Sequence, residues 1–267
     1  MPLCVIIGGT GVMGTAAIQG LREHFKSEAR VVANWFGKEN PGFEVDQADV
    51  TVFGDVSTTE CLDRIKAAAG GPIDYLFYAT ALGAVGFPIK EANPEQIAQS
   101  NHLSFDPMKT MEAHLDVDTI VGYSTFYLTR HQLGSYGAMG YSKEAIEKWT
   151  VAPGKSKHVC IRAGLFESPS SRGIKLLLRK TAKDLNNLTD PLVRSYFENV
   201  PSSEGVENFL AGIIDEERQL YGDSPTLAEN LKQAHVELFR SADPVFVNVC
   251  GKKIWHSKDP QLIPATA

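Results

Sequence analysis

Paired cysteines, an excess of basic charge and long apolar runs are all missing from this chain of 267 residues, and each absence removes a class of function. Lysine and arginine number 26 against 32 aspartates and glutamates, a formal net charge of -6. Such a balance lacks the clustered basic surface that nucleic acid calls for, so no nucleic-acid partner is expected. The four cysteines, at 4, 61, 160 and 250, are far apart in sequence with no metal-ligand spacing, which argues against a disulfide framework and against a metal site. No apolar run reaches the roughly eighteen residues of a membrane span. The start, "MPLCVIIGGTG", has too short an apolar stretch and no basic leader for a signal peptide. A cytoplasmic protein with a small-molecule partner and no membrane contact is the expectation.

What is present is a repeating alternation. Seven short β-branched or aromatic runs, at 3–8, 29–35, 49–55, 74–80, 118–125, 157–164 and 243–249, read as strands. Most are continuously apolar, as strands covered on both faces are. Helical spacing fills the intervals, in "GVMGTAAIQGLREHF", "STTECLDRIKAAAG", "EQIAQSNHLSFDPMKTMEAHL", "YGAMGYSKEAIEKWT" and "SSEGVENFLAGIIDEER". The pattern predicts a single α/β domain over 1–267, a Rossmann-like doubly wound parallel sheet of about seven strands. Residues 168–200 form a long connection after the sixth strand, as substrate lids do.

The first chemical signal is "IIGGTGVMG", with Gly9, Gly11 and Gly14 in G-x-G-x-x-G spacing directly after the first strand. In that context Gly9 permits a tight turn, Gly11 lets the backbone approach a pyrophosphate, and Gly14 lets the helix pack close to the sheet. About twenty residues on, where an acid selects NAD, stands Asn34. Lys38 is placed either to meet a 2′-phosphate or simply in a solvated loop, so NADPH is preferred over NADH by a narrow margin. Asp55, after the third strand, either accepts the adenine amino group or caps the next helix.

The glycine loop, "GDV" (54–56), Asn101, Lys143 and "IRAGLFES" (161–168) together resemble the short-chain dehydrogenase/reductase superfamily. The resemblance implies NAD(P) as cofactor, with Thr10, Met13, Val56, Ala79 and Ala163 among its contacts and Lys143 on the nicotinamide ribose. Ordinary members carry Tyr-x-x-x-Lys with a preceding serine. Here Met139 stands at the tyrosine place and Phe126 at the serine place.

Seven residues of helix turn through about 700°, which brings Tyr136 to the Lys143 face two turns earlier, while Tyr141 points elsewhere. The pattern Tyr-x-x-Met-Gly-x-x-Lys resembles the divergent branch containing enoyl-acyl-carrier-protein reductases, and "RAGLFESPSSRGI" (162–174) is similar to that branch's cofactor and substrate segment. The resemblance implies that the Phe166 backbone and the Ser168 hydroxyl hold the carboxamide. The portion 216–267 does not match that branch.

Chemically, a reductase needs a hydride donor, a proton donor and a stabiliser of oxyanion charge. Tyr136 is expected as that donor, with Ser135 as helix N-cap and Lys143 lowering the phenol. Asn101 supports a relay water, makes a helix-kink hydrogen bond, or does both. Phe126, Tyr127, Tyr136 and Met139 are expected to line the substrate pocket. "SRGIKLLLRKTAK" (171–183) carries five cations and no acid, with Ile174, Leu177 and Leu178 expected inward. That helix is either a solvated lid face or a contact for cofactor, carrier or coenzyme A phosphates.

The resulting expectation is an NAD(P)H-dependent reductase acting on an activated C=C conjugated with a carbonyl. The alternatives are a ketoreductase and a non-catalytic NAD(P)-sensing protein. The substrate is expected to be a small molecule or an acyl thioester. The resemblance further implies a homodimer or homotetramer built on the helices around 95–115 and 136–151.

Overall fold

Eight strands lie side by side in the order β3-β2-β1-β4-β5-β6-β7-β8 in the computed structural model, which describes residues 1–40 and 42–265. They are β1 (Leu3–Ile7), β2 (Arg30–Trp35), β3 (Val50–Phe53), β4 (Ile73–Tyr78), β5 (Val117–Thr125), β6 (Lys157–Ala163), β7 (Phe246–Cys250) and β8 (Lys253–Ser257). The first seven pair in parallel, and β8 runs antiparallel to β7. The helices are α1 (Val12–Phe25), α2 (Thr59–Ala69), α3 (Pro94–Ser104), α4 (Asp106–His114), α5 (Arg130–Leu133), α6 (Gly137–Thr150), α7 (Pro169–Thr181), α8 (Pro191–Ser195), α9 (Ser202–Tyr221) and α10 (Ala228–Arg240).

The alternation of side chains along β1 divides the core. Leu3, Val5 and Ile7 face a layer containing Leu62 and Ile65 of α2, Met108 and Met111 of α4 and Ile146 of α6. Cys4 and Ile6 face the opposite layer, with Ala17, Ile18 and Leu21 of α1 and Leu231, Ala234 and Leu238 of α10. Gly20 lets these last two helices approach, since a Cβ there would lie 2.7 Å from His235 Cβ. The sheet is therefore covered on both sides, as the continuous apolar runs require.

Three features depart from the sequence expectation. The eighth strand closes a hairpin in which Cys250 faces Lys253, with Gly251 at φ +55° in the two-residue turn. The helix expected over 95–115 is broken at Phe105, because Pro107 in the first turn of α4 lacks the N–H that would continue α3. Between β2 and β3, where no helical spacing was read, no helix lies among the described residues. Finally, the long connection after β6 builds a third small core, in which Leu178, Leu188, Val193 and Phe197 pack on Val206, Phe209 and Ile213 of α9. Within α7 Leu178 is buried, but Leu177 is exposed rather than inward.

Candidate functional site

The order of the sheet reverses between β1 and β4, which leaves a crevice at the carboxyl ends of these strands where such folds bind ligands. The β1–α1 turn borders it. Gly8, at φ +77°, makes the bend, so the left-handed position falls one residue before Gly9. Gly14 has no room for a side chain, since a Cβ there would drive into the Gly8 carbonyl oxygen. Gly11 differs. A Cβ there would meet only Gly8 O, at an ordinary 3.4 Å. Helix α1 begins with no side-chain cap and no acid in its first turn, so its first N–H groups, around Val12 and Met13, have only the positive end of the helix dipole behind them. Such a terminus is made for an anion. Thr10 is exposed beside it, and Ala79 is half-buried after β4.

At the outer end of the crevice, Asn34 is not free to meet a ribose. Its amide donates to Val52 O and Gly54 O, both at 3.1 Å, and so ties β2 to the end of β3. Thr58, not Asp55, caps α2, accepting from Cys61 N at 3.4 Å. One oxygen of the exposed Asp55 accepts from Ser57 N, and Val56 is buried. Lys38 is exposed on the loop after β2.

The inner end is built by β5, α6 and the loop after β4. Tyr136 is itself the N-cap residue of α6, and Ser135 instead donates its hydroxyl to His131 O. Tyr136 bridges Phe87 through the backbone, and Gly137, at φ +50°, donates its N–H to Phe87 O. The described polar atoms that are sealed without a partner are Asn101 Oδ1, Thr129 Oγ1 and Arg179 Nε. The half-buried Tyr136 is not among them, and no described residue hydrogen-bonds its hydroxyl. Burial pushes that phenol up to about 12, and Lys143 is not among the causes of the shift. The expected lowering by lysine is therefore corrected: Tyr136 is held as a neutral donor. Lys143 is buried and donates to Tyr123 O at 3.0 Å, and desolvation brings its ammonium down to about 8.

Met139 is not a pocket wall. It is 6% exposed, and its sulfur takes Ser100 Oγ at 3.4 Å beneath Gly83, where a Cβ would lie 2.7 Å from it. Phe126 and Tyr127 also leave the expected pocket. Phe126 stacks on Tyr221 with centroids 4.1 Å apart and on Trp255 at 5.6 Å, while the Tyr127 hydroxyl donates to Gln261 O at 2.5 Å. Asn101 O accepts from Phe105 N at 2.8 Å at the helix break, while its side-chain oxygen is sealed and unpartnered.

After β6 the chain passes Ala163 and the half-buried Phe166 to Ser168, the N-cap of α7. The Ser168 hydroxyl accepts from Ser171 N at 3.0 Å. Glu217, which sequence reasoning missed, holds this segment. Its two oxygens accept from Leu165 N at 2.9 and 3.0 Å and it accepts from Ser224 Oγ, while burial raises its carboxyl. Also missed was the buried pair of Arg162 and Glu147, 2.6 Å apart, onto which the C-terminal segment folds through Gln261 N and Asp259 O. No spacing signal links these residues, because each partner comes from a different element.

No family model matches the chain, and no curated protein matches it. Solved structures do. A short-chain dehydrogenase family protein from Francisella tularensis superposes with a TM-score of 0.62 at 15% identity, over 94% of this chain and 98% of that one. A short-chain dehydrogenase from Burkholderia cenocepacia, solved in complex with NADP, gives 0.58 at 16% identity, over 92% and 87%. A short-chain type dehydrogenase/reductase from Mycobacterium ulcerans gives 0.58 at 14%, over 94% and 89%. The chain thus has the fold of the short-chain dehydrogenase/reductases. Among the described residues no helix is long and apolar enough to cross a membrane.

Proposed function

We propose that this protein is an NAD(P)H-dependent reductase that acts on a C=C bond conjugated with a carbonyl. The observation that carries the proposal is the uncapped glycine turn at the sheet's switch point, on the same strand-end edge as the buried Lys143. The residues fit a dinucleotide: the first turn of α1 takes the pyrophosphate, Lys143 the nicotinamide ribose, and Phe166 with Ser168 the carboxamide. When bound, the reduced nicotinamide supplies a hydride. The chain's own task is to stabilise the charge that then develops on the carbonyl oxygen of the substrate. Tyr136 suits that task, since a phenol held near 12 stays a hydrogen-bond donor at neutral pH and its hydroxyl has no competing partner among the described residues. Oxidation of NADPH and of NADH with an enoyl thioester, a quinone and an aryl ketone tests the reading. Turnover of the thioester or quinone supports it, and turnover of the ketone alone would replace it with carbonyl reduction.

A second reading is favoured by Met139. With the ordinary tyrosine position filled by a packed thioether, a non-catalytic NAD(P)-sensing protein would need no displaced donor. Tight nucleotide binding with no oxidation across that panel would select it. In either case we place a homodimer or homotetramer contact on α3, α4 and α6, checked by light scattering at micromolar concentration.

A further inference from the structure

The outer end of the crevice holds a cation that the sequence motifs do not mark. Arg64 lies in the second turn of α2, and its guanidinium folds back over Gly54, at the end of β3. A Cβ on Gly54 would come within 2.5 Å of Arg64 Nη2, and Gly54 itself sits at φ +128°. The glycine is what makes room for the guanidinium. Arg64 is exposed, and among the described residues no carboxylate lies within ion-pair distance of it. Its charge is nonetheless felt at this spot, since it draws the Cys61 thiol down against the effect of burial.

The surroundings match an anion on the ribose. An acid at the tip of β2 would accept the two ribose hydroxyls of an unphosphorylated adenosine, but Asn34 stands there with its amide donating to Val52 O and Gly54 O. Asp55, next to Gly54 in the chain, turns one oxygen to Ser57 N at 2.9 Å, and the exposed Glu39 stands beside Lys38 on the loop after β2. No helix lies between β2 and β3 among the described residues, so this end is bordered by the loop after β2 and by α2. Lys38, on the loop after β2, and Arg64, on α2, are exposed cations on the segments that flank this end, and the exposed Lys66 lies in the last turn of α2.

We infer that Arg64, lying on Gly54, reads a 2′-phosphate on the adenosine ribose and so makes the protein selective for NADPH. A planar guanidinium takes two phosphate oxygens side by side, a geometry that Lys38 as a point charge does not offer. The inference rests on the dinucleotide reading above. Its test therefore uses fragments whose binding needs no turnover.

Isothermal calorimetry compares 2′,5′-ADP with 5′-AMP on the wild type and on Arg64→Ala, Arg64→Lys and Lys38→Ala, alongside fluorescence titrations with NADPH and NADH. The wild type should bind 2′,5′-ADP at least about tenfold more tightly than 5′-AMP, as one charge-assisted bidentate contact provides. Arg64→Ala should abolish the preference while leaving 5′-AMP affinity in place. Arg64→Lys should retain part of it, and because it keeps the charge and the stem it remains informative should Arg64→Ala fold poorly. Equal binding of the two fragments by the wild type overturns the role of Arg64 and leaves the dinucleotide reading standing. So does equal weakening of both fragments in Arg64→Ala, which is the mark of stacking on adenine. Loss of the preference in Lys38→Ala but not in Arg64→Ala overturns the assignment to Arg64. Failure of both fragments and both dinucleotides to bind overturns the functional reading together with it.

Discussion

Two strand-to-helix turns face each other across the crevice, and they are built on different principles. The β1–α1 turn is made of backbone: Gly8 bends, Gly14 admits the Gly8 carbonyl, and α1 starts uncapped within a stretch of seven residues. The β5–α6 side is made of side chains gathered from distant segments. Met139 sits under Gly83 against Ser100, Lys143 reaches Tyr123 O, and Tyr136 is fixed through Phe87. A backbone site announces itself in a short motif because glycine is the only residue that satisfies it. A side-chain site does not, because its residues are interchangeable until their neighbours are known.

The largest expected effect falls on the backbone-built turn. Gly14→Ala puts a methyl group into the Gly8 carbonyl with only backbone to yield, so a destabilisation of about 4 kcal/mol or more is expected in urea unfolding, the range that marks backbone strain or overpacking. Gly11 lies three residues away without that constraint, so Gly11→Val should stay folded and lose nucleotide affinity. Retained nucleotide binding by folded Gly11→Val would erase the contrast between a packing glycine and an approach glycine.

Across the crevice the largest effect should be on rate. Tyr136→Phe keeps the ring against its neighbours and removes only the hydroxyl. If that hydroxyl stabilises the developing oxyanion, turnover falls about a hundredfold to a thousandfold, or roughly 2.7–4 kcal/mol, at unchanged stability. Tyr141→Phe should turn over like wild type. Wild-type turnover by Tyr136→Phe would remove the phenol from the chemistry and favour water-mediated reduction of a ketone.

How much was legible follows the same division. The seven parallel strands could be read because they are continuously apolar, whereas β8 has a mixed, half-exposed surface and was betrayed only by Gly251 before it. The break at Phe105 was carried openly by the Asp106-Pro107 pair but overridden by helical spacing on both sides. In the site, the glycine turn was legible to within one residue. Phe126 and Tyr127 were not, because the groups they pack on, Tyr221, Trp255 and Gln261, lie roughly a hundred residues later in the chain. Arg64 had no motif at all. Its position depends on α2 turning its second turn back over β3, a tertiary fact.

Lys143 gives a smaller, pH-dependent test of the side-chain-built region. Its folded value of about 8 lies below the ordinary 10.5, so between these pH values the unfolded chain binds more protons than the folded one. Stability from this group therefore rises with pH across that window, by about 3 kcal/mol in all, and is level below it. Buried Cys160 and Tyr123, both raised, act in the opposite sense as the pH climbs, so the quantity to follow is the difference between wild type and Lys143→Met. Relative to the variant, the wild type should gain stability from pH 8 to 10.5 in denaturant titrations. A flat difference would mean that the ammonium is not desolvated, and that Lys143 faces the crevice more openly than its contact with Tyr123 O implies.

The smallest effect concerns Met139, and it decides whether this position still belongs to the chemistry. Its sulfur is a weak acceptor for Ser100 Oγ at 3.4 Å and Ser104 Oγ at 3.9 Å, so its contribution is mostly packing. Met139→Leu conserves volume and should cost less than about 1.5 kcal/mol of stability. Turnover and nucleotide affinity should be unchanged, because nothing at this position then touches substrate. Met139→Tyr is the opposite probe. It supplies the hydroxyl that ordinary members carry, but beneath Gly83 the ring has no space without moving the loop after β4. The double variant Tyr136→Phe, Met139→Tyr should therefore be no more active than Tyr136→Phe alone, and less stable. Rescue of activity would show that the loop yields and that the ordinary site is latent under Met139. Loss of activity in Met139→Leu with stability intact would show that the thioether itself lines the reacting space.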